Sequence, residues 1–261
     1  MGKIISLVNQ KGGVGETTTS INLSASLAVL GKKVLLIDLD PQGNTATGVG
    51  INKGDIDKSI YEVLIGECSI TESIVVTKYK NLSVIPATIN LAGFNIELIE
   101  KSHSDPGFAK ANQLKEKLES VKDYYDYIII DCPPSLELLT TNALAASDSV
   151  IIPVQCEFFA LEGIMQLLNT IRYTQKALNP NLYIEGVLLT MLNARAKLSV
   201  EVVEDVSKFF KEKVYNTIIP RIIKLAEAPS HGEPILAYEP KSRGTEAYLN
   251  LAKEVIERNG N

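Results

Sequence analysis

Short runs of Val, Ile and Leu recur along the chain and alternate with stretches whose apolar residues have helical spacing. The runs are nearly continuous, a pattern typical of parallel strands that helices cover on both faces. Strands and helices alternate, which favours right-handed crossovers and a doubly wound α/β fold with a mostly parallel sheet. The predicted strands are residues 4–8, 33–38, 81–86, 127–131, 149–153, 184–190 and 214–219, and the clearest predicted helices are residues 17–30, 111–122 and 161–178.

Nothing along the chain marks a boundary between domains. We find no repeat, no low-complexity tract and no linker-like segment. Residues 48–105 are more polar than the rest, so we expect surface helices and loops there. A chain of 261 residues is long enough for one large α/β domain, and we expect a single domain over residues 1–261.

The composition excludes several kinds of catalytic and metal site. Only two histidines are present, which argues against zinc sites with several histidines and against a Ser-His-Asp hydrolase. Three separated cysteines without a CxxC pair exclude a thioredoxin-type motif and indicate a reducing, cytoplasmic environment. No apolar run is long enough to cross a membrane. The net charge of −5 still allows local basic patches.

A glycine-rich turn joins the first predicted strand to the first predicted helix. Residues 11–18 read Lys-Gly-Gly-Val-Gly-Glu-Thr-Thr. Glycines let the backbone approach a ligand closely, and N–H groups at a helix N-terminus bind phosphate, so this context predicts a phosphate-binding loop. Thr17 is placed to bind Mg²⁺, and Thr18 to reach a phosphate. Taken alone, a glycine-rich segment is also consistent with a tight turn that binds nothing.

Glu16 stands where the general phosphate-loop pattern, GxxxxGK[ST], has its lysine. That lysine normally places a positive charge against the β- and γ-phosphates. Two unit charges about 4 Å apart interact by about 4 kcal/mol at an effective dielectric constant of 20. A loss of that size lowers affinity by roughly a thousandfold, so nucleotide binding is predicted to be impaired.

Segments spread over essentially the whole chain resemble the ParA/MinD class of P-loop ATPases, whose variant Walker A motif has an early lysine. Within that class the chain is similar to the ParA/Soj partitioning ATPases. The resemblance implies ATP or ADP and Mg²⁺ as cofactors, a homodimer when ATP is bound, non-specific DNA binding by that dimer, and hydrolysis stimulated by a ParB-type centromere-binding protein. The segments are VNQKGGVG near the N-terminus, VLLIDLDPQGN at 34–44, VIPATINLAG at 84–93, YDYIIIDCPPSL at 125–136, VIIPVQCEFFALEG at 150–163, GVLLTML at 186–192 and IPRIIKLAEAPSHG at 219–232.

The resemblance also implies roles for individual residues. Lys11 resembles the signature lysine that reaches the nucleotide of the other subunit, and the alternative for it is a solvated loop lysine. Asp131 resembles the Walker B carboxylate that holds Mg²⁺ through water. Asp40 resembles the residue that orients the attacking water, and Asp38 resembles a residue that supports the ligands of the metal ion. Asp38 and Asp40 end a buried strand, where ligands of open sheets bind, although they are also consistent with a simple turn. The implied nucleotide-binding residues are Gly12, Gly13, Val14, Gly15, Glu16, Thr17, Thr18, Asn193 and Pro220, with Thr17, Asp38 and Asp131 at the metal.

The chain departs from this family at Glu16, and two explanations stay open. The residue is either an introduced substitution that disables nucleotide binding or a natural change in a degenerate copy. The other motifs are intact, which favours an introduced substitution, because drift after loss of function damages several motifs. Under both explanations the family role is ATP hydrolysis, and the activity of this chain is predicted to be impaired.

Basic side chains in the last third of the chain form the predicted DNA-binding face. Contacts from Lys and Arg to phosphates give salt-sensitive binding that does not depend on base sequence. We therefore expect a cytoplasmic protein associated with the nucleoid. An ordinary surface of mixed charge is the alternative, because glutamates lie among the basic residues. The predicted DNA-binding residues are Arg195, Lys197, Arg221, Lys224, Lys241 and Arg243.

Three other functions are alternatives. A MinD-like membrane ATPase needs a basic amphipathic helix at its C-terminus, whereas residues 246–258 are balanced in charge and better explained by packing on the sheet, so we expect no membrane partner. An iron–sulfur carrier of the same superfamily needs cysteines that bridge a dimer, a context that Cys132 and Cys156 lack. The third alternative is a nucleotide-free regulatory module that binds a partner protein, and Glu16 keeps it open.

Overall fold

The centre of the computed structural model is a mostly parallel sheet; the model describes residues 2–94, 96–98, 111–157, 160–193 and 195–260. The described strands are β1 (Lys3–Leu7), β2 (Val34–Asp38), β3 (Val75–Val76), β4 (Leu82–Ile85), β5 (Tyr127–Asp131), β6 (Ser149–Gln155) and β7 (Tyr183–Thr190). They form one sheet in the order β3-β4-β2-β5-β1-β6-β7. Neighbouring strands are parallel except β3, which is antiparallel to β4.

Helices follow the strands along the chain. The first described helix begins at Glu16, and the last begins after Ser242, whose hydroxyl accepts the N–H of Thr245 at 3.1 Å. The described α-helices are α1 (Glu16–Val29), α2 (Asn44–Gly48), α3 (Ile60–Ile65), α4 (Gln113–Leu118), α5 (Leu138–Ala146), α6 (Ala160–Ala177), α7 (Lys197–Phe210), α8 (Ile223–Glu227), α9 (Ile235–Tyr238) and α10 (Arg243–Arg258). Short 3₁₀ turns occupy Lys53–Asp55, Ile70–Ser73, Ile89–Gly93, Lys122–Tyr124, Lys211–Lys213 and Ala228–His231.

Apolar side chains pack in two layers, one on each face of the sheet. Along β2, Leu35 and Ile37 belong to one layer and Val34 and Leu36 to the other. The first layer includes residues of α3 to α7, and the second includes residues of α1 and α10. Because both faces are covered, most positions of the central strands are apolar, which explains the nearly continuous runs in the sequence. The predicted doubly wound α/β fold is confirmed.

The predicted strand at residues 214–219 is wrong. The N–H groups of Asn216 and Thr217 donate to the carboxylate of Glu254, in α10, at 2.8 and 3.0 Å. Donors used in this way are not available for a strand ladder. In the described part of the chain, the segment therefore forms an isolated bridge at Val214 rather than a continuous ladder, and Pro220, just beyond it, forms a second bridge. The N–H groups of Tyr215 and Ile219 still donate to carbonyls of β7 at 2.9 Å.

The other predicted strands each correspond to an observed strand. The sheet also contains β3, which was not predicted. This strand lies inside the polar region 48–105, where the sequence predicts helices and loops. Part of that region, residues 99–110, lies outside the described residues. The predicted helix at residues 111–122 is shorter in the structure, at Gln113–Leu118. No described helix is both long and apolar enough to span a membrane.

Candidate nucleotide-binding site

The glycine-rich loop lies between the carboxyl end of β1 and the start of α1. Gly13 and Gly15 have φ angles of +78° and +90°, which residues with a Cβ atom rarely adopt. Gly15 directly precedes α1, and its carbonyl accepts the N–H of Thr19 at 2.9 Å. The first N–H groups of a helix have no partner within the helix, so Thr17 and Thr18 contribute backbone donors that suit an anion.

Two aspartates stand side by side where β2 and β5 end. Asp38 and Asp131 are partners in the parallel register of these strands, and both are fully buried. Asp38 accepts the backbone N–H of Asp40 at 2.9 Å and the hydroxyl of Thr45 at 2.6 Å. Ser20 donates its hydroxyl to Oδ1 of Asp131 at 2.8 Å. Sequence reasoning missed Ser20 and Thr45, because nothing local identifies partners of buried carboxylates.

Burial raises the pKa of both carboxyl groups. The pKa of Asp38 rises to about 6, because burial removes its charge from water, although hydrogen bonds from Thr45 and Asp40 oppose that rise. The pKa of Asp131 lies well above its usual range because of burial and the nearby Asp38 charge, partly offset by the hydroxyls of Ser20 and Thr17. A cation placed beside the pair would lower both pKa values.

One oxygen of this pair suits a metal ion. Within the part of the chain that the structure describes, Oδ2 of Asp131 is buried without a hydrogen-bond partner, which is costly unless another group binds it. Thr17 lines the cavity in front of the glycine-rich loop. Carboxylate and hydroxyl oxygens are hard donors of the kind that Mg²⁺ prefers, so Asp131 and Thr17 fit this ion. Asp38 differs, since both of its oxygens already accept hydrogen bonds.

A cavity of about 300 Å³ in front of the loop, here called the loop cavity, has acidic side chains in its lining. Its lining includes Gly12, Gly13, Gly15, Glu16, Thr17, Thr18, Asp40, Asn44, Cys132, Pro134 and Met191. None of the described lining residues is lysine or arginine. Carboxyl groups and backbone amides therefore dominate a space that phosphate loops normally make positive.

Glu16 is held inside this site rather than turned away from it. Its side chain is only 7% exposed, and its Oε1 accepts the backbone N–H of Asn9. Burial raises the pKa of Glu16 well above its usual range, and the charges of Asp131 and Asp40 raise it further, against the hydrogen bond from Asn9. The Glu16 side chain therefore lies within electrostatic reach of Asp131 and Asp40 inside the site.

The contacts of Asp40 are compatible with both interpretations of its position, a turn-forming residue and a residue that orients water. Its Oδ1 accepts the N–H of Gln42 at 2.9 Å, as a turn-forming aspartate does. It also lines the loop cavity, where a carboxylate could orient a water molecule. Turn formation and contact with a ligand are therefore compatible at this residue.

Lys11 is tethered through its backbone, while its side chain reaches the surface. Its N–H donates to Oδ1 of Asn9 at 3.0 Å, and Nδ2 of Asn9 donates to the carbonyl of Pro153 at 2.6 Å. The Lys11 ammonium lies 3.5 Å from a carboxylate oxygen of Glu157, whose other oxygen accepts Nε2 of Gln155. In this single chain the Lys11 side chain therefore pairs with a residue of its own subunit.

An apolar cavity of about 320 Å³ adjoins the loop cavity and shares Gly15, Thr18 and Met191 with it. Pro220, predicted to flank the base, lines this apolar cavity. Sequence reasoning missed Met191, which directly follows β7, a strand-end position that could have marked it. It also missed Thr190, Ile219, Ile222, Ile223, Leu225, Ala226 and Tyr248 in the lining.

A third cavity, of about 760 Å³, gathers arginines from separate parts of the chain and is here called the basic cavity. Arg195 precedes α7, Arg221 follows the 214–219 segment, and Arg243 begins α10. Asn193, predicted near the base, lines this basic cavity together with Pro220. The structure therefore brings three of the predicted DNA-binding residues together.

The other predicted DNA-binding residues lie outside the basic cavity. Lys197 is exposed and lies 3.6 Å from Glu201, and Lys224 pairs with Glu227 at 2.9 Å. Lys241 is exposed near the start of α10. Lys197 and Lys224 therefore lie on a surface of mixed charge, and DNA binding by these three lysines stays a prediction.

The fold and this site define a class of protein. A glycine-rich loop joins a parallel strand to the N-terminus of a helix, and it lies near buried aspartates at the ends of neighbouring strands. This is the arrangement of a P-loop nucleotide-binding protein. The family model described as an AAA domain matches residues 2–184. A solved structure of cobyrinic acid a,c-diamide synthase from Mycobacterium smegmatis, with bound ADP and magnesium, superposes with a TM-score of 0.86 and 34% identity. The superposition covers 100% of this chain and 96% of the other.

Characterised relatives narrow this class further. The sporulation initiation inhibitor protein Soj of Bacillus subtilis (strain 168) is 60% identical over 255 residues, covering 98% of each chain. The chromosome partitioning protein ParA of Myxococcus xanthus (strain DK1622) is 48% identical, covering 99% of this chain and 89% of the other. The chain belongs to the ParA/Soj family of partitioning ATPases, as its motifs predicted.

Proposed function

We propose that this protein has the architecture of a DNA-partitioning ATPase and that Glu16 impairs its nucleotide site. The observation that supports the proposal best is the glycine loop in front of the buried Asp38–Asp131 pair, where Oδ2 of Asp131 has no hydrogen-bond partner among the described residues. The family is one of ATPases, and the M. smegmatis neighbour was crystallised with ADP and magnesium. We propose ATP or ADP and Mg²⁺ as the ligands of this chain's site, within a single domain over residues 1–261.

The cavities suggest how ATP would lie. The loop and apolar cavities share lining residues, so one ligand can place its phosphates over Gly15 and its base beside Pro220. Thr17 and Asp131 would hold Mg²⁺, with Asp38 behind them; when bound, the ion neutralises charge that develops on the transferred phosphoryl group. Asp40 would orient the attacking water. Backbone N–H groups of the loop would bind phosphate oxygens throughout the reaction.

Lys11 provides the proposed link between hydrolysis and dimerisation. In the single chain its ammonium pairs with Glu157. In a homodimer it would leave this partner and approach the nucleotide of the other subunit. Each site is then complete only when two subunits meet, so ATP binding and dimerisation favour each other.

The basic cavity is the proposed contact with non-specific DNA. Arg195, Arg221 and Arg243 present guanidinium groups on one surface, and arginine recognises phosphate through paired hydrogen bonds. Such contacts would place the protein on the nucleoid in the cytoplasm. A ParB-type partner would act by stimulating hydrolysis and so releasing the dimer from DNA.

The test is a comparison of this chain with the Glu16→Lys variant. A fluorescent ATP analogue is titrated into each protein with Mg²⁺. We expect strong binding by the variant and weak or no binding by the unchanged chain, because only the variant has a cation in the loop cavity. Equal affinities would refute the proposed role of Glu16. Failure of both proteins to bind, with folding verified by circular dichroism, would refute the nucleotide site itself.

Glu16 also supports a second function, a regulatory module that binds a partner protein without nucleotide. ATP turnover with ParB and DNA separates the two functions, because the regulatory module shows no turnover.

The MinD-like alternative is disfavoured, since Tyr248, Leu251 and Val255 of α10 are buried in the core and leave no apolar face for a lipid surface. A liposome flotation assay tests that point directly.

A further inference from the structure

One wall of the basic cavity is a single stretch of chain, residues 214–222, here called the wall segment. It contributes Asn216, Thr217, Ile218, Pro220, Arg221 and Ile222 to the lining. The N–H groups of Asn216 and Thr217 donate to the carboxylate of Glu254 at 2.8 and 3.0 Å, whereas two other N–H groups of the segment donate to carbonyls of β7. The position of the wall segment therefore depends on a side chain of α10 as well as on the sheet.

Glu254 is suited to hold this backbone in place. Its side chain is almost fully buried, and each of its two oxygens accepts one of the two N–H groups. Burial raises the pKa of Glu254, but the N–H groups of Asn216 and Thr217 and the Arg258 guanidinium outweigh burial, so the pKa lies below its ordinary value. The carboxylate is therefore ionised at neutral pH, and hydrogen bonds to an ionised acceptor are about twice as strong as neutral ones.

Arg258, one helical turn further along α10, supports the same contact. Its Nη2 donates to Oε1 of Glu254 at 2.8 Å and to the carbonyl of Val214 at 2.9 Å. Its Nη1 donates to the carbonyl of Glu185, in β7, at 3.1 Å, and its guanidinium carbon lies 4.0 Å from the centre of the Tyr215 ring. Arg258 therefore contacts α10, β7 and the wall segment at the same time.

The Glu254 contact joins two segments that each carry an arginine of the basic cavity. Arg243 begins α10, the helix that also carries Glu254. Arg221 belongs to the wall segment, and because it is exposed, packing constrains its side chain little. Glu254 ties the wall segment to α10 and thus fixes the backbone of Arg221 relative to Arg243. Phosphates along a nucleic acid have a set spacing, so arginines held at a fixed separation bind them with a smaller loss of freedom.

We infer that Glu254 is a positioning residue for the basic cavity: its carboxylate, supported by Arg258, fixes the wall segment and so sets where Arg221 lies relative to Arg243. The inference rests on the proposed function, because it takes the arginines of this cavity to contact DNA. Glu254 touches no ligand in this role and acts through Arg221. Its loss therefore removes one phosphate contact rather than all of them.

The first measurement tests the hold on the wall segment in the otherwise unchanged chain. Glu254→Gln keeps the shape of the side chain, but its amide oxygen replaces only one of the two carboxylate acceptors, and its NH₂ group faces the other N–H. Hydrogen–deuterium exchange at Asn216 and Thr217 should become at least about tenfold faster, while exchange in β1 and β5 stays the same. Glu257→Gln makes the same change of charge at an exposed position of α10 and should change neither.

A second variant weakens the same contact more gently. Arg258→Lys keeps the positive charge but lacks the planar guanidinium that reaches several acceptors and stacks on Tyr215. It should accelerate exchange in the wall segment in the same direction, by less than Glu254→Gln does. If Glu254→Gln fails to fold, Arg258→Lys replaces it in both measurements.

The second measurement asks whether Glu254 acts through Arg221. In Glu16→Lys with ATP, binding of a duplex oligonucleotide is followed by fluorescence anisotropy at several salt concentrations. We expect Glu254→Gln to weaken binding several-fold and to reduce the salt slope by about 1, as Arg221→Ala does. In a protein that already carries Arg221→Ala, Glu254→Gln should have no further effect on affinity or slope. A general loss of folded protein would instead lower the active fraction in both backgrounds and leave the slope unchanged.

The outcomes separate this inference from the proposed function. Unchanged exchange in both Glu254→Gln and Arg258→Lys would overturn the inference, and so would equal weakening of DNA binding by Glu254→Gln with and without Arg221. If Arg221→Ala alone leaves DNA binding unchanged, the proposed DNA contact fails instead. The exchange measurement needs neither DNA nor nucleotide, so it still decides whether Glu254 holds the wall segment.

Discussion

The loop cavity and the basic cavity both adjoin the apolar cavity, yet their charged side chains differ in sign and in exposure to solvent. Glu16 in the loop cavity is almost fully buried and faces Asp40 and Asp131 at close range. Arg221 and Arg243 in the basic cavity are exposed to solvent. Solvent screens exposed charges strongly and buried charges weakly. One substitution can therefore determine the behaviour of the loop cavity, whereas the basic cavity distributes its effect over several side chains.

The largest predicted effect is on nucleotide affinity at the loop cavity. Glu16→Lys should strengthen ATP binding by roughly a thousandfold, because a carboxyl group that offers phosphate no attraction is replaced by a cation whose attraction is worth about 4 kcal/mol. Glu212→Lys makes the same change of charge at an exposed position of the 3₁₀ turn Lys211–Lys213 and serves as the control. Isothermal titration compares both with the unchanged chain. An equal gain in Glu212→Lys would show that net charge, not the buried position, controls affinity.

The next effect concerns the hydrogen bond that supports Asp131. Ser20→Ala removes the hydroxyl that donates to Oδ1 of Asp131 at 2.8 Å and should lower the free energy of unfolding by about 1–3 kcal/mol. Ser26, on the same helix, is the matched control, because its buried hydroxyl has no hydrogen-bond partner. Ser26→Ala should leave stability nearly unchanged. Urea unfolding measures both, and equal losses would contradict the importance of the Ser20 contact.

Smaller, additive effects are expected in the basic cavity. In Glu16→Lys with ATP, Arg195→Ala, Arg221→Ala and Arg243→Ala should each weaken DNA binding several-fold and reduce its salt slope by about 1. Lys208→Ala, on α7 outside this cavity, is the control. Fluorescence anisotropy at several salt concentrations checks the slopes. If one arginine accounts for all of the DNA binding, the claim that the basic cavity distributes its effect over several side chains is wrong.

The smallest effect concerns Lys11. Both partners of the Lys11–Glu157 pair are about half exposed, with side-chain exposures of 43% and 48%. Such pairs contribute about 0.2–1 kcal/mol. Glu157→Gln, in the Glu16→Lys background, should therefore raise dimerisation with ATP by no more than about fivefold. Analytical ultracentrifugation measures this change, and weaker dimerisation would mean that Glu157 contacts the partner subunit instead.

Most of the fold could be predicted from the sequence, because its determinants are local. Continuous apolar runs indicated the strands, and the burial of Leu35 and Leu36 on opposite faces explains why. The prediction failed at residues 214–219, whose apolar side chains resemble a strand. There Glu254, close to the end of the chain, takes the N–H groups that a strand would use. No local pattern reveals such a distant acceptor.

Residue type and short spacing were enough to predict most of the strands and the glycine loop and to single out Glu16. Which carboxylates meet depends instead on how distant segments pack. Asp38 and Asp131 are far apart in the chain and become neighbours through the register of β2 and β5. The arginines of the basic cavity likewise converge from three separate segments. Charges act through space, and packing alone sets those distances.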